Sequence, residues 1–125
     1  MIRLGCVLHP TKVTANLRVP DGAEARTFYT EFLGLSETAF DLGWVVNLQS
    51  PDGRAEVQLV TRDATSPVDS VISVHVGDDV EVAYAEAQER GLKIVHPLTQ
   101  EAWGVRRFLV RAPDGNVVNV VGHVD

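Results

Sequence analysis

Residues 17–35 and 74–92 of this 125-residue chain are two versions of one segment, LRVPDGAEARTFYTEFLGL and VHVGDDVEVAYAEAQERGL. They align without a gap, with Val19/Val76, Asp21/Asp78, Glu24/Glu81, Gly34/Gly91 and Leu35/Leu92 identical. Each is followed by strand-like sequence and a Pro-Asp-Gly turn, Pro51-Asp52-Gly53 and Pro113-Asp114-Gly115. Behind the turns stand AEVQLV and VVNVV, which match once a residue is inserted in the first copy. A repeat on this scale constrains architecture more than local propensity does, and two copies are too few for a solenoid. They fit one domain, residues 1–125, made of two similar halves around a shared site: a module over about 13–60, a linker at 61–70 and a second module over about 71–123.

Each half reads as a strand, a helix and three further strands. Thr14 to Val19 alternates polar and apolar side chains, as a half-buried strand does. Asp21 lies three residues before Glu24, a variant of the capping box. Ala25, Phe28, Tyr29, Phe32 and Leu33 then fall at the spacing of a single helical face, and Gly34 ends the helix. In the second half Val71–Val76 is the strand and Asp78 or Asp79 the cap. Val80, Ala83, Tyr84 and Ala87 form the buried stripe, and Gly91 the stop. Further strands are expected near Ser36–Phe40, Trp44–Gln49 and Glu56–Val60, then near Lys93–Val95, Arg107–Arg111 and Val117–Val121. The Pro-Asp-Gly turns join the last two strands of each half. Residues 61–70, TRDATSPVDS, are turn-rich and read as the linker. Residues 1–12 are read as a further edge strand.

Alternation sorts the strand residues into two faces. Leu17, Val19, Trp44, Val46, Leu48, Val57, Leu59, Ile72, Val74, Val118 and Val120 are expected against the helices. The other face carries Thr14, Asn16, Arg18, Asn47, Gln49, Glu56 and Gln58 in the first half, and Ser73, His75, Arg107 and Asn119 in the second. Val45, Val71, Leu109, Val117 and Val121 are interspersed among them. Mixed apolar walls with a few polar groups are the make-up of small-molecule sites, so this face is the expected binding surface. A solvated sheet face is the plainer alternative.

The order and duplication of these motifs, with LRVPDGAEARTFYTEFLGL and WGVRRFLVRAPDGNVVNVV at Trp103–Val121, resemble the vicinal-oxygen-chelate superfamily. That group includes glyoxalase I, bleomycin resistance proteins and extradiol dioxygenases, and the likeness covers about residues 13–123. It implies an α+β fold, paired βαβββ modules forming a cup-shaped mixed sheet with helices on the outer face. Metal-dependent members take one ligand from the first strand and one from the last strand of each module, usually His, Gln or Glu. Mapped here, those positions fall at or near Thr14, Gln58, Val71 and Asn119. Valine cannot ligate, and a divalent ion wants imidazole, thiolate or carboxylate donors in number. The expectation is therefore no metal and no cofactor. His75 and Glu56 remain as a two-donor fallback, while His9, His96 and His123 read as surface or packing histidines.

The net charge of −6 argues against a nucleic-acid partner, and no apolar run reaches the length that crosses a bilayer. Leu4-Gly5-Cys6 faintly resembles a lipoprotein cleavage site but lacks an apolar stretch before it. The single cysteine, Cys6, fits a reducing cytoplasm and reads as a small buried hydrophobe. The resemblance then leaves a metal-independent binding protein of the glyoxalase and bleomycin-resistance type, holding a drug-like or metabolite ligand. Trp103 is its stacking residue, and Arg107 meets an anionic or carbonyl group. Asn16, Arg18, Asn47, Gln58, Ser73, Leu109 and Asn119 complete the lining. The alternative is a lyase, isomerase or cyclase acting on a carbonyl compound with His75 and Glu56 as acid and base. A metal-dependent glyoxalase or dioxygenase is the third reading. Family members commonly pair, so a homodimer is expected.

Overall fold

The structure, a computed structural model, describes residues 8–123. The described residues gather into two compact units, one of Thr14–Thr65 and one of residues 66–123 together with residues 8–13.

The first unit contains β1 (Lys12–Arg18) from Thr14 on, α1 (Gly22–Thr27), a π-helical turn (Phe28–Phe32), β2 (Glu37–Asp41), β3 (Val45–Gln49) and β4 (Glu56–Val60). Its strands lie in the order β2-β3-β4-β1, with β1 parallel to β4 and the other pairs antiparallel. The second unit repeats the plan. It has β5 (Ile72–His75), a 3-10 turn (Gly77–Asp79), α2 (Val80–Glu89), β6 (Lys93–Gln100), β7 (Val105–Arg111) and β8 (Val117–His123). The order is β5-β8-β7-β6, with β5 parallel to β8 and the rest antiparallel. The fold is α+β, βαβββ twice. Residues 61–70 carry neither helix nor strand.

Burial follows the period-two pattern. Leu17, Val19, Val46, Leu48, Val57 and Leu59 pack with Ala25 and Tyr29 from the helical segment and with Leu35 beyond its end. In the second unit Val74, Phe108, Val110, Val118 and Val120 pack with Val80, Ala83, Tyr84 and Ala87 of α2. Tyr84 meets Phe108 edge-on, ring centres 5.0 Å apart, and Leu8 joins this core. The Asp21 side chain accepts from Ala23 N at 2.8 Å, capping α1. Gly53 and Gly115 take the positive φ of the two Pro-Asp-Gly turns, 73° and 92°.

Four expectations are corrected. The apolar stripe on the first helix is not buried as a unit. Only Ala25 and Tyr29 reach the core, while Phe28, Phe32 and Leu33 are exposed. The cause is the π turn: Leu33 N bonds Phe28 O, five residues back, at 3.2 Å. The extra residue turns Phe32 and Leu33, which follow it, out of the register set by Ala25, and the Phe28 and Phe32 rings stack on the outside at 5.3 Å. Trp44 does not share the packing of Val46 and Leu48. Leu42 N bonds Val45 O at 2.9 Å around Gly43, so the strand begins after Trp44, which is half-buried. Strand β6 runs well past Val95, carrying Pro97, which an outer strand with register breaks around His96 tolerates. Residues 8–11 are not strand, although Thr11 N donates to His75 O at 2.8 Å. Residues 1–7, including Cys6 and the rest of the proposed edge strand, lie outside the described residues.

Candidate functional site

Each unit turns a polar face away from its helix. In the first unit, Asn16, Gln58 and Asn47 stand opposite one another across β1, β4 and β3, and directly opposed residues share a face. Their amides form one chain. Gln58 Nε2 donates to Asn16 Oδ1 at 2.6 Å. Asn47 Nδ2 donates to Gln58 Oε1 at 3.3 Å and to Glu56 Oε2 at 2.7 Å. Gln49 Nε2 donates to Asn47 Oδ1 at 3.2 Å. Asn47 and Gln58 are buried, so these bonds offset desolvation that would otherwise be costly. Thr14, on the same face of β1, is wholly buried, and its Oγ1 has no hydrogen-bond partner. Arg18, at the end of β1, is exposed.

The second unit lays two rows across its sheet. Ser73, Asn119, Leu109 and His96 oppose one another over β5, β8, β7 and β6; His75, Val121, Arg107 and Thr99 form the next row. Asn119 is 8% exposed; its Nδ2 donates to Ser73 Oγ at 3.0 Å, while its Oδ1 is buried without a partner. The His75 ring stacks on His123, centres 5.8 Å apart. Arg107 is 3% exposed, and its Nε donates to Glu101 Oε2 at 2.7 Å. Its guanidinium lies 5.3 Å from the Trp103 ring centre, a cation–π arrangement. Arg106, next in sequence, points the other way, to Glu81 of α2 at 3.0 Å.

Ser73, His75, Trp103, Arg107, Leu109 and Asn119 thus belong to one unit, and Asn16, Arg18, Asn47, Glu56 and Gln58 to the other. The Glu56 carboxylate is engaged by Asn47. Arg107 is not a bare cation awaiting an anion, because Glu101 balances it. Two residues of this face were not expected. Glu101, 6% exposed, closes the β6–β7 turn, its N–H donating to Val105 O at 2.8 Å. His96, read as a surface or packing histidine, is 9% exposed, and its Nε2 lies 3.3 Å from Glu101 Oε2. The signal available for His96 was its offset from Arg107 on a hairpin partner, hidden by the register breaks in β6.

These residues do not fit a divalent cation at the four family positions. Val71 has no donor atom. The Gln58 carbonyl oxygen is taken by Asn47. Threonine and asparagine are poor neutral ligands for a borderline metal. Among the described residues no three His, Cys, Asp or Glu side chains gather into a metal cluster.

Residues 8–120 match the family model of the Glyoxalase/Bleomycin resistance protein/Dioxygenase superfamily. Curated proteins give no match. Among solved structures, the fold resembles a glyoxalase/bleomycin resistance protein/dioxygenase superfamily member from Vibrio splendidus 12B01, with TM-score 0.66 and 20% identity, over 89% of this chain and 97% of that one. It also resembles an NAD-dependent benzaldehyde dehydrogenase from Legionella pneumophila, with TM-score 0.71 and 16% identity over 90% and 100%. Homoprotocatechuate 2,3-dioxygenase from Brevibacterium fuscum, as its E323L mutant, gives TM-score 0.72 and 20% identity; 98% of this chain covers 35% of that one. At these identities the likeness is one of fold.

Proposed function

Because the chain belongs to the Glyoxalase/Bleomycin resistance protein/Dioxygenase superfamily, we propose that it is a metal-independent small-molecule-binding protein that holds a drug-like or metabolite ligand against its polar sheet face. The observation that carries this reading is Asn119. The family resemblance puts a ligand position of metal-dependent members at or near this residue, and its Oδ1 is buried with no partner. Leaving such an atom unsatisfied costs about 1–3 kcal/mol, which a hydrogen-bond donor on a ligand would recover. Leu109, Val117 and Val121 supply apolar wall beside it, and Trp103, braced by Arg107, a flat surface for an aromatic or planar group. The single cysteine suits a cytoplasmic setting.

Two measurements test it. Elemental analysis of purified protein should find less than stoichiometric Ni, Zn, Fe or Mn; one tightly held divalent ion per chain overturns the metal-independent reading. A thermal-shift screen of small organic molecules should give hits that Trp103→Ala weakens by roughly 1–3 kcal/mol. Hits untouched by Trp103→Ala and by Asn119→Leu would place the ligand elsewhere.

A further inference from the structure

Three of the chain's four phenylalanines lie within residues 28–40, and all three are exposed. Phe40 stands opposite Asn47, on the polar face of the first unit. The other two, with Leu33, form an apolar patch on the outside of the helical segment. Phe32 is 76% exposed, and Phe28 and Leu33 are exposed beside it. The Phe28 and Phe32 rings stack at 5.3 Å, while Tyr29, edge-on to Phe28 at 5.2 Å, turns inward to the core. The π turn presents the patch, since the Leu33 N–H donates to Phe28 O five residues back. Such turns recur at functional sites, and apolar patches with polar rims mark surfaces that meet other molecules.

Charge says what kind of molecule fits. Residues 20–42 hold five acidic side chains (Asp21, Glu24, Glu31, Glu37 and Asp41) against one basic, Arg26, a net −4 of the chain's −6. Arg26 is engaged by Asp41 and Thr38 of β2. Glu24 and Glu31 are exposed. They stand four residues before and three after Phe28, the spacings that bring helical side chains together. The patch is thus an apolar centre with an acidic rim, which repels an anionic membrane surface. The same charge disfavours a second copy, because a two-fold contact sets each acidic rim against its equivalent. We propose that this surface docks a basic amphipathic helix of a partner protein. The partner's apolar stripe lies on Phe28, Phe32 and Leu33, and its flanking Lys or Arg side chains meet Glu24 and Glu31. The surface is on the helix side of the first unit, so it does not depend on a ligand at the polar sheet face.

The probe is a fluorescein-labelled peptide, LKKLLKLLKKLLKL, which as a helix shows leucine on one face and lysine on the other. Its counterpart LEELLELLEELLEL keeps the apolar face and reverses the charge. Fluorescence anisotropy with the intact protein should show saturable binding of the basic peptide and none of the acidic one. Affinity should fall as salt is raised. Phe32→Ser should weaken binding at least about tenfold, as loss of an interface aromatic does. That side chain is exposed, so the variant should melt with wild type. Glu31→Lys should also weaken binding, and it carries the same decision if Phe32→Ser does not fold. Glu89→Lys, the same charge change on exposed α2 surface, should leave binding nearly unchanged. Failure of the basic peptide to bind, binding of both peptides, or binding that survives Phe32→Ser overturns the proposal. Equal weakening by Glu31→Lys and Glu89→Lys overturns it too, since net charge alone would then explain the binding. If Phe32→Ser turns a dimer into a monomer in light scattering, the patch belongs to a second copy and the proposal fails.

Discussion

Gly122 shows how little freedom a single atom has in this core. A Cβ there would lie 2.5 Å from Gly77 O and 2.7 Å from Val80 Cγ1. The nearer obstacle is backbone, so the start of α2 would have to move away from β8. Gly122→Ala should therefore cost about 1–3 kcal/mol, read as a lowered denaturation midpoint at unchanged m-value. Thr14 is the opposite case. Its hydroxyl is wholly buried and unpartnered, so Thr14→Val keeps the volume while removing a desolvated polar group. That variant should melt above wild type in the ligand-free protein, by an amount equivalent to about 1 kcal/mol. A lower melting temperature would mean that the hydroxyl contributes to the free fold. Much of each unit's polar face was legible at this scale. Strand alternation put Asn16, Asn47 and Gln58 together in the first unit, and Ser73 and Asn119 together in the second, because a period of two leaves only two choices. Alternation gives direction but not pairing. It did not show that Arg107 is neutralised by Glu101, since that bond depends on how the β6–β7 turn closes.

At the level of elements, the repeat identified the βαβββ units and the helix stops, because glycines and Pro-Asp-Gly turns act through local backbone geometry. The π turn was not legible. An inserted residue leaves the same apolar letters in place and changes only which way they face. The first helix is tied down instead by Arg26, whose Nη1 donates to Asp41 Oδ2 at 2.9 Å and whose Nη2 donates to Thr38 Oγ1 at 2.9 Å, holding α1 to β2. The Asp41 carboxyl is held below its ordinary value of 3.8, first by the Gly43 N–H and then by Arg26. A depressed acid contributes stability above its unfolded-state pKa and loses it as pH falls through the lower folded value. Asp41→Asn should accordingly melt below wild type at pH 7, with the gap closing as the pH is taken below 3.8. Because the pair is solvent-exposed, the gap should also shrink in high salt. A gap that persists in acid would assign the effect to shape rather than charge.

For the whole molecule, composition and charge fitted an ordinary globular protein, and no helix among the described residues is long and apolar enough to cross a membrane. The exposed Phe28, Phe32 and Leu33 form an apolar patch of the kind that marks contact surfaces. Through another face we propose a symmetric homodimer, the commonest closed arrangement. Light scattering should report twice the chain mass at working concentration; a monomer would contradict it. The parallel pairing inside each unit also orders events during synthesis. β5 finds its partner in β8, which is made after β6 and β7, and Thr11, made before all of them, bonds β5 at His75. The early residues that belong with the second unit therefore leave the ribosome long before the strands they join exist. Nascent chains emerge at about 5–20 residues per second, so Leu8 and its neighbours wait several seconds with apolar surface uncovered. A chaperone that binds the stretch around Leu8 would have a long opportunity there, and truncation just before Val117 should lengthen that association rather than merely lower the yield of folded protein.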